Sequence, residues 1–442
     1  MNNTLAKKFT FTDLIRFALP NIIMMVFFSM YTIVDGIFVS KYVGTTALSS
    51  VNMIYPATNL QLAIAIMLAT GGSAIIAFKL GAKREEEARQ NFSLILLIEF
   101  LIGVLFGVIG NIFIKQIVGF LGASEVQFEL CVTYGRILFT FAPFFFLQTA
   151  FQILFVTAGK PNLGLIATVA GGIANMVLDY LFMGILNSGI AGAAIATGMG
   201  YSIPAIIGLI YFVCLKRGTL YFTKPTFDKK MLRNATINGS SEMVTNLANS
   251  VSTYMFNYLF LKFYGEDGVA SITIVLYFQF IFTAIFIGYS LGVAPVISYK
   301  QGSNNTKQLK DIIRNSMIFI IVCSGLAYGL SFFIVNPITK TFAQETSNVY
   351  KITIEGFPIF AIAFLMMGIN IYVSAMFTAL SDGRTSALIS FARTLVFLIS
   401  GLAFLPIIFG KFGLWIAVPV AEFLGMIISI VFFAKYKRKY QY

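Results

Sequence analysis

Long apolar runs separated by short polar connections recur along the whole chain. Read at the length needed to cross a bilayer, they predict helical spans near 14–40, 46–78, 91–117, 131–157, 162–186, 190–214, 235–261, 268–299, 315–336, 352–379, 385–409 and 412–434, numbered 1 to 12. The expected class is an all-α integral membrane protein. Its longest polar connection, Lys216 to Arg233, falls near the middle, and a repeat is legible around it. Gly44 matches Gly265, Lys79 matches Lys300, Gly81 matches Gly302, Gly135 matches Gly356 and Gly192 matches Gly413, every pair 221 residues apart. Thr157-Ala158 and Thr378-Ala379 keep the same register. Two six-helix, pseudo-symmetric bundles in parallel orientation follow: a first lobe at 1–217, a linker at 218–234 and a second lobe at 235–442. Repeats of this kind place a substrate site between the halves near mid-membrane, with access alternating as one half rocks against the other.

Composition narrows the reading. The 442 residues are 58% hydrophobic and 11% charged, with a mean hydropathy of +0.85, which excludes a soluble domain. The net charge of +13 is spread over short connections, so membrane topology explains it better than nucleic acid does. With the N-terminus inside, inner segments hold twenty-two Lys and Arg against six in outer ones, which predicts both termini in the cytoplasm. No cleavable signal peptide is expected, because the first apolar run is too long and lacks a small-residue cleavage site. Three scattered cysteines make neither a disulfide framework nor a thiolate metal site. The absence of histidine removes His-based nucleophilic triads, HExxH zinc sites and imidazole proton relays together.

Candidate chemistry lies in the intramembrane polar residues, which are costly in hydrocarbon and mark function by default. Span 1 carries Asp35, with Pro20 fifteen residues earlier as a candidate helix kink. Asn175 and Asp179 share one face of span 5 at i,i+4, and Thr197 lies in span 6. Their counterparts 221 residues on are Phe256, Val396, Ser400 and Val418, all apolar or small. Structural residues should persist in both halves; a specialised site need appear in one. Counted from the predicted span ends, Asp35, Asp179 and Thr197 lie about 8–11 Å below the outer surface. Two carboxylates, an amide and a hydroxyl at one depth make an oxygen-rich pocket suited to Na⁺ or to a proton shared between acids. The alternative is a structural hydrogen-bond cluster. Glu242 is expected two turns into span 7, and Tyr31 and Glu242 are the candidates for a substrate cavity. Arg393 and Glu422 are expected to neutralise one another, Arg136 and Glu355 to be interfacial, and the charge run 83–90 to be a solvated helix end. Glu99 fits either a structural or a functional role.

These features together resemble the multidrug and toxic compound extrusion (MATE) transporters, bacterial branch, of the multidrug/oligosaccharidyl-lipid/polysaccharide flippase superfamily. The resemblance covers essentially the whole chain. It is carried by the twelve spans in two repeats, VDGIFV at 34–39, the N-x-x-x-D of span 5, the A-x-A-T-x-x-G at 194–200, and the Leu80-Gly81 and Gln301-Gly302 endings of spans 2 and 8. It implies a cation or proton site in the first lobe at Asp35, Asn175, Asp179 and Thr197, and a role for Pro20. It also implies export of cationic, often aromatic compounds in exchange for Na⁺ or H⁺, a multidrug-resistance activity. Some members use an acidic residue on span 7 near Glu242, although the GSSE setting here departs from the usual glycine-proline opening.

The expectation is therefore a multi-pass inner-membrane antiporter rather than an enzyme. It would act as a monomer in the lipid bilayer on small organic cations, without nucleic acid and without a cofactor beyond the coupling ion. The nearest rival is a lipid-linked oligosaccharide flippase, which would place basic residues in the cavity to hold pyrophosphate. A membrane-embedded enzyme lacks its nucleophile or metal cluster, and a mere scaffold would bury acids without purpose.

Overall fold

The computed structural model describes residues 4–216 and 218–442 and contains no strand among them. Span 1 is Phe11–Tyr42, span 2 Thr45–Gly81 and span 3 Glu85–Phe120. Span 4 is a pair of helices, Glu125–Thr140 and Ala142–Thr157, bent by 57°; spans 5 and 6 are Pro161–Ile185 and Gly189–Leu215. Span 7 is Ser240–Tyr264, span 8 Glu266–Gly302 and span 9 Thr306–Phe342. Span 10 is the bent pair Asn348–Ala361 and Phe364–Ala379, at 50°, and spans 11 and 12 are Gly383–Phe409 and Lys411–Tyr440. The twelve-helix layout in two bundles is that expected from the hydropathy pattern. The helices outrun their apolar cores because hydropathy marks only the lipid-facing stretch; span 9 begins where the Asn305 side chain caps Gln308.

The repeat is equally visible in the backbone. Adding 221 to the bounds of span 2 gives those of span 8, and adding it to the break of span 4 at Phe141 reaches the break of span 10 at Ile362. Gly44 and Gly265, which turn the chain into spans 2 and 8, both have positive φ, 113° and 70°, a region open to glycine and strained for other residues.

Span 7 departs from the pattern. Its first predicted turn is a separate helix, Lys229–Asn238, and the long helix starts only after Gly239. The expected lobe start at 235 thus falls inside a linker helix. Span 7 is also too polar to qualify as a span by hydropathy alone. Three of its polar side chains are satisfied locally: Thr245, Asn246 and Thr253 each donate to the carbonyl four residues back.

The first and last described residues lie on one face, here the terminal face, with Lys300 donating to the Ala6 and Lys7 carbonyls and Tyr440 to Asp382, and there the halves close on each other. A Cβ on Gly81 would run into the Tyr299 carbonyl, and one on Gly302 into the Phe78 carbonyl. These two contacts are pseudo-symmetric mates. Gly71 lies against the Ala235 carbonyl of the linker helix with no room for a side chain, and Gly292 packs closely, though less tightly, on Ala18 of span 1. Deeper in, Asn21 donates to the Gly288 carbonyl at 2.6 Å, and Asn59 reaches the Asn246 carbonyl at 2.9 Å and Ser250 Oγ at 2.7 Å. Span 1 runs without a break through Pro20, so the kink expected there does not interrupt the helix. The charge run 83–90 is partly tied down: Arg89 pairs with Glu85 and also donates to the Thr219 carbonyl of the linker.

Candidate cation seat in the first half

One continuous apolar core runs through the second half and takes in the N-terminal segment and the start of span 1, whereas the rest of the first half has two. One, around Ala69, Phe151 and Phe212, fills the terminal side; the other, around Val39, Cys131 and Met183, fills the opposite side. The polar residues singled out in the sequence belong to spans 1, 5 and 6, which pack together in this half.

Asp179 is wholly buried, and Asn175 and Thr197 are 3% and 9% exposed. Asp179 closes the regular part of span 5; the next residues, Tyr180–Ile185, widen into a π-helical turn, a local distortion that recurs at functional sites. Gly200 of span 6 lies directly against Asn175, so the missing side chain there lets the two helices close around the amide. Measured from the observed helix ends, Asp35 is seven residues from Tyr42, Asp179 six from Ile185 and Thr197 eight from Gly189, or about 9–12 Å of depth. The common level predicted from the sequence is retained.

The carboxyl groups of Asp35 and Asp179 face one another closely enough to interact directly. Asp35 Oδ1, both carboxylate oxygens of Asp179 and both amide atoms of Asn175 are shielded from solvent and have no hydrogen-bond partner among the described residues. Each such orphan costs about 1–3 kcal/mol. Thr197 spends its hydroxyl proton on the Ala193 carbonyl, 3.0 Å away, leaving its oxygen free to accept. The cluster is therefore rich in oxygen acceptors and poor in donors, the chemistry of a site for a hard cation or a proton.

Two tyrosines missed in the sequence complete it. Tyr134 of span 4 neighbours the Thr197 hydroxyl and interacts with both aspartates, and Tyr201 interacts with Asp35. Tyr201 follows Thr197 by one helical turn, a signal that was readable; Tyr134 left none. Tyr31, one turn from Asp35, packs on Phe27 and Phe28.

Glu242 does not join this level. The break at Gly239 puts it in the first turn of span 7 rather than two turns in, about 33 Å from the far end of that helix against about 10 Å for Asp35 in span 1. Ser241 donates to Glu242 at 2.5 Å and Thr378 at 3.3 Å, and hydroxyls of Thr378, Ser386, Ser374 and Ser390 continue from it in contacts of 2.9 Å. Arg393 and Glu422 are paired at 3.0 Å, and Arg136 and Glu355 are exposed. Glu99 is buried with both oxygens unpartnered, on span 3, which packs on spans 2 and 4. A groove of about 1070 Å³ opens on the face away from the termini, walled by Tyr254, Tyr258 and Tyr277 with Glu266 at its edge.

A duplicated twelve-span body with a buried cluster of oxygen acceptors in one half fits a membrane transporter rather than an enzyme, and the family comparison agrees. The MatE family model matches residues 20–181 and again 242–402, once in each half, and the chain belongs to that family of multidrug efflux transporters. It is 26% identical over 426 residues to the multidrug export protein MepA of Staphylococcus haemolyticus, covering 95% of this chain and 93% of that one. It is 25% identical over 421 residues to the probable multidrug resistance protein YoeA of Bacillus subtilis, covering 92% and 86%. Among solved structures it resembles a MATE crystallised in complex with MaL6, with a TM-score of 0.94 at 20% identity over 100% of this chain and 99% of that one. It also resembles an outward-facing multidrug resistance MATE transporter, with a TM-score of 0.91 at 20% identity over 97% and 96%.

Proposed function

We propose that the protein exports organic cations across the cell membrane in exchange for Na⁺ or H⁺, with Asp35, Asn175, Asp179 and Thr197 as the coupling-ion seat. The observation that carries this reading is the set of five buried, unpartnered polar atoms on Asp35, Asn175 and Asp179. A fold that leaves two facing carboxylates uncompensated gains most from an ion that enters between them. The terminal face is the cytoplasmic one, in keeping with its excess of Lys and Arg. Ion and cargo are exchanged as the halves rock, since occupancy by one disfavours the other through a coupling free energy. Aromatic walls and a carboxylate, as in the groove at Tyr254, Tyr258 and Glu266, suit an organic cation leaving the protein. A flippase would need a free buried cation for pyrophosphate, but the buried Lys300 donates to the Ala6 and Lys7 carbonyls and Arg393 to Glu422.

The test is ethidium efflux in proteoliposomes under separately imposed sodium and proton gradients. Transport driven by one of them, lost in Asp35→Asn, is the expected result. Gradient-driven efflux at the wild-type rate in Asp35→Asn refutes the seat.

A further inference from the structure

The terminal face carries a second polar cavity, of about 600 Å³, where three parts of the chain meet: the end of span 2, the linker helix Lys229–Asn238 and the turn between spans 10 and 11. Lys79, Arg84, Lys230, Arg233 and Arg384 line it. Its two acids are already engaged. Asp228 accepts from the Met231 amide at 2.9 Å, and Asp382 accepts from the Tyr440 hydroxyl at 2.7 Å and pairs with Lys439. Lys79 and Arg84 share Glu87, while Lys230, Arg233 and Arg384 form no ion pair among the described residues.

The repeat supplies an internal comparison. The mate of Lys79 is Lys300, which is buried and donates to the carbonyls of Ala6 and Lys7 at 3.1 and 2.7 Å. The mate of the turn at 380–383 begins at Gly159, which lies against Thr4. On that side, then, the chain's own N-terminal segment fills the cleft and brings oxygens to the lysine. On the linker side the cleft stays open, and its lysine, Lys79, pairs with the Glu87 carboxylate rather than with backbone carbonyls.

We propose that this cleft binds a multiply charged, phosphate-bearing anion that bridges both halves and the linker helix and so favours the state closed at the terminal face. Guanidinium groups match phosphate oxygens in a two-pronged geometry, and the volume suits a di- or triphosphate or a lipid headgroup rather than a lone phosphate. The linker helix is wedged against both halves, Ala235 on Gly71 and Asn238 on Gly383. An anion shared by Arg84, Arg233 and Arg384 must be released before those halves part.

The experiment uses the full chain in nanodiscs, with spin labels at Lys83→Cys and Asn304→Cys, the turns after spans 2 and 8, in a background without native cysteine. One arm titrates inorganic tripolyphosphate into phosphatidylcholine discs; the other compares phosphatidylcholine discs with discs containing cardiolipin. Binding in one arm, with at least a threefold fall in the separated label population, is expected. Lys230→Gln/Arg233→Gln/Arg384→Gln should weaken it tenfold or more, and the charge-matched control Lys307→Gln/Lys310→Gln/Arg314→Gln should not. The first arm alone identifies a soluble anion and the second alone a lipid, and either supports the site. No binding in either arm, or equal loss in both triple variants, overturns it; binding that leaves the label distances unchanged overturns its effect on the conformational state.

Discussion

Arg393 of span 11 donates to Glu422 of span 12 at 3.0 Å, with 8% of each side chain exposed. Asn370 donates to the same carboxylate at 2.7 Å, and Ser429 holds the Asn370 oxygen at 2.9 Å. The residues 221 positions earlier are Gly172, Tyr201, Thr149 and Gly208. The second half thus compensates its buried charge internally, while the first half sets two carboxylates against each other. Removing one partner of a buried pair costs about 3–5 kcal/mol, whereas replacing both by apolar residues is often neutral. Arg393→Met should accordingly lower the melting temperature in detergent sharply, and Arg393→Met/Glu422→Leu should restore most of it. Equal losses in the single and double variants would point to packing instead of charge.

The opposite sign is expected in the first half. Asp179 is wholly buried with both oxygens unpartnered, so Asp179→Asn removes a charge that the empty fold does not compensate. Thermal stability should rise by about 0.5–2 kcal/mol, the usual return from relieving a strained functional site, while gradient-driven efflux falls to background. Saturating sodium should raise the melting temperature of the wild type and leave that of the variant unchanged if Na⁺ is the coupling ion. A variant that is both less stable and fully active would assign Asp179 a structural role.

Much of this was legible in the sequence, for identifiable reasons. A fixed rise of 1.5 Å per residue turns distances from span ends into depths, so the common level of Asp35, Asp179 and Thr197 needed no coordinates. The 221-residue register was readable because glycines at helix ends are tied to positive φ or to close backbone approach. Tyr134 was not readable, since its approach to Thr197 depends on the 57° bend of span 4, which leaves no mark in local hydropathy. Glu242 was placed too deep because an apolar-to-polar count does not register a helix break at Gly239. The open cleft on the linker side depends on which chain segment folds back over which turn, a tertiary fact.

The glycines of the terminal face yield a third prediction. Gly302 lies against the Phe78 backbone with no room for a side chain. In an ordinary helix, replacing glycine by alanine helps by about 1 kcal/mol; here it should force spans 2 and 8 apart. Gly302→Ala is expected to impair transport and to increase labelling of a cysteine introduced at Asn304, with Gly325→Ala, where nothing is crowded, as the silent control. Unchanged labelling in Gly302→Ala would mean that the halves do not need this contact to close.

Asp382, in the turn between spans 10 and 11, sets an acid limit on that same face. Burial raises its pKa, but hydrogen bonds from Tyr440 and Thr385 and the charge of Lys439 outweigh this and leave it below the ordinary 3.8. A carboxylate depressed in the folded state contributes stability above its unfolded pKa and loses it as pH falls through the folded value. The contribution is therefore intact at pH 6, begins to decline near the unfolded value of about 3.9 and is lost as pH falls through the lower folded value. Asp382→Asn should lower the melting temperature at pH 6 and converge on the wild type only once the pH has fallen through the depressed folded-state value, below 3.8. Tyr440→Phe should show the same convergence with a smaller gap, because Lys439 and Thr385 still favour the charged form. Parallel melting curves across that range would mean that the turn is held by packing of Gly383 on Asn238, and that the carboxylate adds nothing.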